Sequence, residues 1–299
     1  MKKPTLILVV TSVLALLSAC GGGTTPGGGT TPGGGTTTPS YETLDSTAAV
    51  TSTLGGVALR SNGTSGVLNI VTTSGTTTHN TGNTTITDGT YTLTDPDGLN
   101  GGNTLTDGTS TITADGTGTY EYVRTYNQSY TSGGTTYDSF GIGGVITNAS
   151  DVPTTGNATY RGEAAGEVVA GAQGFDLAGG TSSVNADFAV GTVNATMTGF
   201  TATDLATGNA ATAPIDTISV TGMTITGNGF SGGTVATTNG GAAVNVTGAN
   251  TATTAQGAFF GYNGTQAATS GTIAAPDEVG GLVLLRGDDG IVLGTFIAD

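Results

Sequence analysis

The chain has 299 residues, a formal net charge of −15, 54 glycines, 64 threonines, one cysteine and one histidine. The negative charge excludes a nucleic-acid-binding surface, and a single Cys and His exclude an internal disulfide and an imidazole-rich metal site. Because Thr favours strands, Gly favours turns and strong helix formers are scarce, the composition predicts an all-β protein.

The N-terminus has the pattern of a bacterial lipoprotein signal peptide over residues 1–19. Two lysines precede an apolar stretch of about a dozen residues, which is too short to span a ~30 Å hydrocarbon core. It ends in Leu17-Ser18-Ala19-Cys20, which resembles a lipobox, in which the cysteine is acylated and becomes the new N-terminus. We therefore predict lipid (palmitate) attachment at Cys20. Gly21 rather than Asp follows it, which by resemblance to lipoproteins of Gram-negative bacteria favours the outer membrane. An ordinary secretory signal with an incidental cysteine is the alternative.

Residues 20–40 are predicted to form a flexible tether behind the lipidated cysteine. Gly-Gly-Gly-Thr-Thr-Pro units repeat from Gly21 to Pro39 and offer no apolar area to bury. A Gly-rich chain of this length has an r.m.s. reach of roughly 25 Å. After cleavage only four arginines oppose 21 acidic residues, so the lipid and not surface charge is expected to hold the protein at the membrane.

Residues 41–153 predict an N-terminal β-rich, handle-like domain. Short apolar and Thr-rich runs alternate with Asp-Gly pairs, which are typical of hairpin turns. The longest predicted hairpin runs from Tyr120 to Tyr130, turns at 132–134 and returns from Thr135 to Thr147. The turn-forming segment Asn148–Pro153 predicts the domain boundary.

Residues 154–299 predict a second β-rich domain with strands about 8–12 residues apart, typical of a sandwich or closed barrel. Val184, Ala186 and Phe188 alternate with polar residues, as in half-buried strands. A single helical turn is possible between Pro276 and Leu285. The predicted strands are Asn157–Glu163, Gly166–Ala170, Ser183–Val190, Thr192–Phe200, Thr217–Ile225, Phe230–Ala236, Ala255–Gly261, Gly271–Ala275 and Gly290–Ile297.

Four short motifs, most of them joining glycine to an aromatic residue, follow one another in this second domain. They are Gly156-Asn157-Ala158-Thr159-Tyr160-Arg161-Gly162, Asn185-Ala186-Asp187-Phe188, Thr226-Gly227-Asn228-Gly229-Phe230-Ser231-Gly232 and Gln256-Gly257-Ala258-Phe259-Phe260-Gly261. In this order they resemble motifs of the C-terminal barrel of transferrin-binding protein B and related surface lipoproteins. The last motif departs from the family at Tyr262, where the family usually has proline.

This resemblance implies an eight-stranded antiparallel up-and-down β-barrel over residues 154–299. The large members of the family have two lobes, each with a handle and a barrel, whereas this chain has room for one. No motif in residues 41–150 matches the family, so its protein-binding loops are not carried over to this chain.

A row of tyrosines in the long predicted hairpin is the candidate ligand-contact surface. Tyr120, Tyr122, Arg124, Tyr126 and Tyr130 have the same parity and would share one face of a strand. Tyrosine offers a large contact area with a polar tip. The alternative is that this face packs against a neighbouring strand or the barrel.

Other chemistry-bearing residues have simpler interpretations. His79 lies among turn formers, and Asp95-Pro96-Asp97-Gly98 and Asp288-Asp289-Gly290 lack the rest of a calcium loop. Glu163 and Glu167 are four residues apart, which does not define a carboxylate separation on a strand path. We therefore predict no catalytic residues, no metal and no cofactor.

The sequence thus predicts a non-enzymatic, lipid-anchored protein of the outer membrane that binds a ligand at the cell surface. By the resemblance, the ligand would be a host protein or an iron- or haem-bearing solute, with a TonB-dependent receptor as a further partner. A structural or adhesive surface coat without a solute site is the alternative, since an acidic exterior repels like-charged surfaces. A hydrolase with a hidden carboxylate pair is a third possibility.

Overall fold

The computed structural model describes residue 41, several short strands between 49 and 106, and then residues 120–132, 135–249, 252–262 and 265–299. Side chains are described for residues 41, 120–123, 141–249, 253–262 and 265–299. Cys20, the predicted tether and the Asp95–Gly98 segment lie outside these residues. All regular structure in the described part of the chain is β-strand.

No helix capable of crossing a membrane is found among the described residues.

An N-terminal six-stranded antiparallel sheet has the order β6-β5-β3-β2-β8-β7, and β1 pairs separately with β4. The long hairpin expected from the tyrosine-rich sequence is present as β7 and β8, which pair continuously from Val123 opposite Gly144 to Ser132 opposite Thr135. These strands are β1 (Ala49–Val50), β2 (Leu54–Ser61), β3 (Gly66–Thr72), β4 (His79–Asn80), β5 (Thr92–Thr94), β6 (Thr104–Thr106), β7 (Val123–Ser132) and β8 (Thr135–Val145).

The C-terminal part forms a larger sheet that closes on itself. Its main strands are β9 (Asn157–Ala170), β10 (Gln173–Asp187), β11 (Thr192–Thr198), β14 (Thr217–Thr226), β15 (Gly229–Ser231), β16 (Thr234–Asn239), β18 (Ala252–Phe260), β21 (Glu278–Arg286) and β22 (Gly290–Ala298). Short additions are β12 (Thr201–Asp204), β13 (Ala210–Ala211), β17 (Ala242–Ala243), β19 (Thr265–Ala268) and β20 (Gly271–Ala274).

The closed sheet is an eight-stranded antiparallel barrel in which neighbours in sequence are neighbours in space. β9 pairs with β10 on one side and with β22 on the other, from Gly290 opposite Ala170 to Ala298 opposite Gly162. β15 and β16 together form the fifth strand, and both pair with β14. The predicted eight-stranded up-and-down barrel is confirmed, and closure leaves its main strands without a free edge.

The barrel interior is filled by side chains from all eight strands. The alternation seen in the sequence places Val184, Ala186 and Phe188 in the buried core. The rings of Phe188 and Phe230 each contact Phe259, with centroids 5.6 and 5.3 Å apart respectively. Small barrels of eight strands have an interior about wide enough for packed side chains, and here that space is occupied by the protein's own core.

β21 and β22 are buried on both faces, whereas β10 and β11 alternate between buried and exposed residues. Inward residues such as Val283 and Phe296 join the core, while Leu284, Leu293 and Ile297 point the other way and are also buried. The N-terminal sheet covers this outer face: β2, β7 and β8 contact β21, and β7 and β8 contact β22. The nearly continuous apolar sequence of both strands follows from burial on two sides.

The structure corrects some of the predicted element bounds. The helical turn expected between Pro276 and Leu285 is wrong: β21 occupies this segment because it pairs along its length with both β18 and β22. The first two predicted strands of the barrel are one strand, β9. The strand predicted from Phe230 to Ala236 is interrupted at Gly232 and Gly233, which have φ values of 83° and 82°.

Candidate functional site

The predicted tyrosine row divides at the place where the N-terminal sheet meets the barrel. Tyr120 and Tyr122 precede β7, and both are buried, with 2% and 1% of their surface exposed. Arg124, Tyr126 and Tyr130 lie within β7, opposite Gly143, Gly141 and Tyr137, and their side chains are outside the described set. Their assignment as ligand contacts stays a prediction.

Tyr120 contacts the barrel wall at the end of its last strand. Its hydroxyl donates a hydrogen bond to the carbonyl of Ile297 at 3.3 Å, and Ser182 Oγ donates to the same carbonyl at 3.1 Å. A Cβ on Gly162 would lie 2.4 Å from the Tyr120 hydroxyl. Tyr120 therefore occupies space that any larger residue at position 162 would need.

Tyr122 packs against the turn that follows β18. Its ring lies over Gly261, where a Cβ would be 2.2 Å from ring atom Cδ2. Gly261 also has a φ of 61°, which L-residues rarely adopt. The glycine that ends the Gly-Ala-Phe-Phe-Gly motif is thus required twice, by its backbone conformation and by the aromatic ring above it.

Glu278 ties the two parts of the molecule together through a buried carboxylate. Its Oε2 accepts hydrogen bonds from the backbone N–H groups of Tyr122, at 2.9 Å, and Val123, at 2.7 Å, and its Oε1 accepts one from the N–H of Glu121. Only 2% of the residue is exposed. Hydrogen bonds to a charged acceptor are stronger than neutral ones, so this contact fixes the start of β7 against the start of β21.

Sequence analysis missed the role of Glu278. The only signal in the sequence was that Glu278 directly precedes the apolar run Val279–Leu285. An acidic residue at such a position is commonly exposed to solvent, so it does not indicate a buried contact. Only its partners, which come from more than 150 positions away, show what it does.

The motifs that resemble the family converge on Thr147, in the segment that leads from β8 to the barrel. Asn228 Nδ2 donates to the Thr147 carbonyl at 2.9 Å, and the Thr147 hydroxyl donates to the Gly261 carbonyl at 2.7 Å. The Thr147 N–H donates to the Phe259 carbonyl at 2.9 Å, and Ile146 forms an isolated bridge with Phe260. The motif turns therefore fasten the linker to the barrel.

Tyr41, the residue after the predicted tether, is fastened to the same region. Its hydroxyl donates to Asp151 Oδ2 at 2.5 Å and accepts the N–H of Asn148 at 2.8 Å. Asn148 Nδ2 also donates to Asp151 Oδ2, at 3.2 Å. Burial and, secondarily, the donation to Asp151 raise the pKa of the Tyr41 phenol well above its usual value. Tyr41 was not singled out from the sequence.

Tyr160 places a buried hydroxyl near the same end of the barrel. Among the described buried polar side-chain atoms, this hydroxyl and Gln256 Oε1 lack a hydrogen-bond partner. Burial raises the pKa of Tyr160 far above its usual value, and Asp277 and Tyr262 raise it further. The same residues make this end rich in tyrosine and carboxylate groups.

The remaining candidates with metal-binding chemistry are His79, Asp288 and Asp289. No group of three or more His, Cys, Asp or Glu side chains that could hold a metal ion is found there. Asp288 and Asp289 form backbone hydrogen bonds to Ala249 and Thr247 in a turn. His79 lies in β4, and its side chain is outside the described set.

Glu163 and Glu167 both lie on β9, and Glu167 stands opposite Asp176 of β10. Burial, with a smaller contribution from the Asp176 charge, raises the pKa of Glu167. A like-charged pair across two strands is destabilising, so this arrangement costs stability at neutral pH.

The barrel matches a known protein family. Residues 152–298 match the family described as the C-lobe and N-lobe beta barrels of Tf-binding protein B. The C-terminal domain is a transferrin-binding-protein-B-type barrel. The resemblance seen in the motifs is thereby confirmed for this part of the chain.

Solved structures similar to the chain include transferrin-binding protein B and a complex of HpuA with haemoglobin. A double mutant of transferrin-binding protein B from Haemophilus parasuis is 18% identical over 60% of this chain and 33% of its own, with a TM-score of 0.40. The isotype 1 protein from Neisseria meningitidis is 23% identical over 60% and 31%, with a TM-score of 0.39.

HpuA from Kingella denitrificans, solved in complex with human haemoglobin, is 15% identical over 88% of this chain and 95% of its own, with a TM-score of 0.37. The present chain spans about a third of the length of the two transferrin-binding protein B structures. No curated protein matches it.

The transferrin-binding-protein-B-type barrel of this chain offers a packed interior and an outer surface of strands and loops. Its core is filled by side chains such as those of Phe188, Phe230 and Phe259. Tyr122 and Glu278 are buried where the N-terminal sheet meets the barrel, and the hydrogen bond from the Tyr122 N–H to the Glu278 carboxylate joins the two.

Proposed function

We propose that this protein is a lipid-anchored lipoprotein of the outer membrane that binds a partner at the cell surface. The observation that carries the proposal is the match of residues 152–298 to the barrels of transferrin-binding protein B. The lipobox-like sequence ending in Cys20 and the Gly/Thr/Pro-rich segment behind it support anchoring by a lipid and a tether.

A host protein that carries iron or haem is the partner we favour, with a free iron- or haem-bearing solute second. A small solute is best held in a concave pocket that buries most of its surface, and the barrel interior is occupied by core side chains. A macromolecular partner needs only an external surface. A TonB-dependent receptor would be a further partner if the bound iron or haem enters the cell.

Anchoring is tested with the wild-type chain and a Cys20→Ala variant expressed in a Gram-negative host. We expect wild type to incorporate radiolabelled palmitate, to fractionate with the outer membrane and to be degraded by protease added to intact cells. The variant should lose the label and leave the membrane fraction. Label-free wild-type protein would contradict the lipid anchor, and protease resistance on intact cells that ends on lysis would place the protein on the periplasmic side.

Binding is tested with the purified full chain and three probes: iron-loaded transferrin, haemoglobin and free haem. We expect saturable binding of one of the two proteins in biolayer interferometry and none of free haem. Tyr126→Ser tests the predicted contact row, because it should weaken binding without moving the thermal midpoint. Tyr122→Ser is the comparison, since its buried ring predicts a loss of stability.

A surface coat without a specific partner is the second candidate function. The observation that favours it is the excess of 21 acidic residues over six basic ones, which gives a hydrated exterior of one sign. It predicts no saturable binding of any of the three probes, and a less negative cell surface in electrophoretic mobility when the gene is deleted. Saturable binding to one protein probe would exclude it.

A further inference from the structure

The two ends of the barrel differ in their connections. One end, the junction end, contains the short turns 188–191 and 227–228, the Asn148–Asp151 turn, the C-terminal residue and the longer connection between β18 and β21, which carries the β19–β20 hairpin. The opposite end, the loop end, contains the segments 199–216 and 232–249 and the turn 287–289. Among the side chains that the structure describes, the large exposed apolar ones are Val190 at the junction end and Leu205 at the loop end.

Tyr41 is held at the junction end by contacts that are unusual for a residue next to a polar, Gly-rich segment. Only 8% of its surface is exposed. Its hydroxyl lies between a backbone N–H and a carboxylate of one turn, which is itself closed by a hydrogen bond from the Asp151 N–H to the Asn148 carbonyl at 2.9 Å. The turn therefore presents a donor and an acceptor spaced for one phenol.

We propose that the Asn148–Asp151 turn is the docking site for the root of the lipid tether, and that this contact turns the junction end toward the membrane and the loop end away from it. The inference rests on the proposed lipid attachment at Cys20. Twenty residues, Gly21 to Ser40, lie between Cys20 and the docked residue in the sequence. The point where the tether leaves the folded protein then decides which end lies nearer the bilayer.

Docking of the root is tested by amide hydrogen exchange on the full chain, with Tyr41→Phe and the control Tyr262→Phe. The first variant removes the acceptor of the Asn148 N–H and keeps the ring, so we expect about tenfold faster exchange at Asn148. The second removes a hydroxyl at the same end and should leave that amide unchanged. Unchanged exchange at Asn148 in Tyr41→Phe would overturn the docking site, whether or not the protein is acylated.

Orientation is tested on the acylated full chain in nanodiscs that contain nickel-chelating lipids. Spin labels are placed singly at Val190→Cys and Leu205→Cys, because acylation leaves no other free thiol. We expect stronger relaxation of the label at position 190 than at 205, and a smaller difference when Tyr41→Phe is added. Equal relaxation at both positions would overturn the orientation, whereas failure to enter nanodiscs would refute the lipid anchor.

Discussion

Glu278 and its three backbone donors are the contact on which the placement of β7 most directly depends. In a Glu278→Gln variant one oxygen becomes an NH₂ group that faces N–H donors, so at least one buried donor loses its acceptor. Since hydrogen bonds to charged groups contribute about 1.5–3 kcal/mol, we expect a loss of about 2 kcal/mol in the free energy of unfolding. Urea unfolding measures this free energy, with tyrosine fluorescence as the signal because the chain has no Trp. Glu121→Gln, an exposed carboxylate nearby, is the matched control; equal midpoints for the two variants would contradict the role of Glu278.

Glu167 predicts a pH dependence of stability with a defined sign. Its pKa in the folded protein is raised above the ordinary value of 4.5, first by burial and then by Asp176. The protonated form is therefore favoured by folding, and its contribution is present below pH 4.5 and lost as the pH rises through the higher folded value. Glu167→Gln should raise stability at pH 7 by about 0.2–1 kcal/mol and bring no gain below pH 4.5.

Asp204→Asn should change the pH dependence of stability in the opposite direction to Glu167→Gln. Hydrogen bonds from the Thr207 and Ala206 N–H groups lower the Asp204 pKa, so its contribution is present above the ordinary value and lost as the pH falls through the folded one. The variant should be less stable than wild type at pH 7 and equal to it in strong acid. Thermal midpoints measured from strong acid to pH 8 test both variants, and parallel profiles for the two would contradict the assignment.

β21 shows how one strand can belong to two interfaces. Its inward residues pack in the barrel, and its outward residues meet the N-terminal sheet, where a Cβ on Gly280 would lie 2.9 Å from Ile142 Cδ1. Gly280→Ala should therefore cost about 1–3 kcal/mol through overpacking. Ile142→Val removes the contacting methyl and should recover part of that loss in the double variant. Additive losses in urea unfolding would contradict contact between the two positions.

The N-terminal sheet and the barrel are expected to unfold together. Removing the sheet would expose the outer faces of β21 and β22, including Leu284, Leu293 and Ile297, and would leave the Glu278 carboxylate without its donors. We expect one transition in calorimetry. We also expect amide hydrogen exchange to give the same opening free energy at Val123 and at Val283. Two separated transitions would show that the domains are independent and that the junction contributes little to stability.

Much of the architecture followed from local patterns. The scarcity of helix formers, the period-two alternation around Val184–Phe188 and the spacing of glycine turns predicted an all-β chain and its strands. The eight-stranded barrel was predicted from the resemblance of the ordered motifs to the transferrin-binding-protein-B family. At Gly261, which ends one of these motifs, the backbone conformation and the close packing both demand glycine.

The candidate site depended on contacts that no local pattern contains. Parity placed Tyr120 and Tyr122 on a common face. Which face is covered depends on how the N-terminal sheet, more than a hundred residues from β21 in sequence, packs against the barrel. The same holds for Glu278 and Tyr41, whose partners lie 156 and 110 positions away. The sequence by itself determined the strand character of the chain and glycine turns such as the one at Gly261. Tertiary structure alone decided which polar and aromatic groups are buried, because burial is set by the surfaces that meet and not by the residues that carry them.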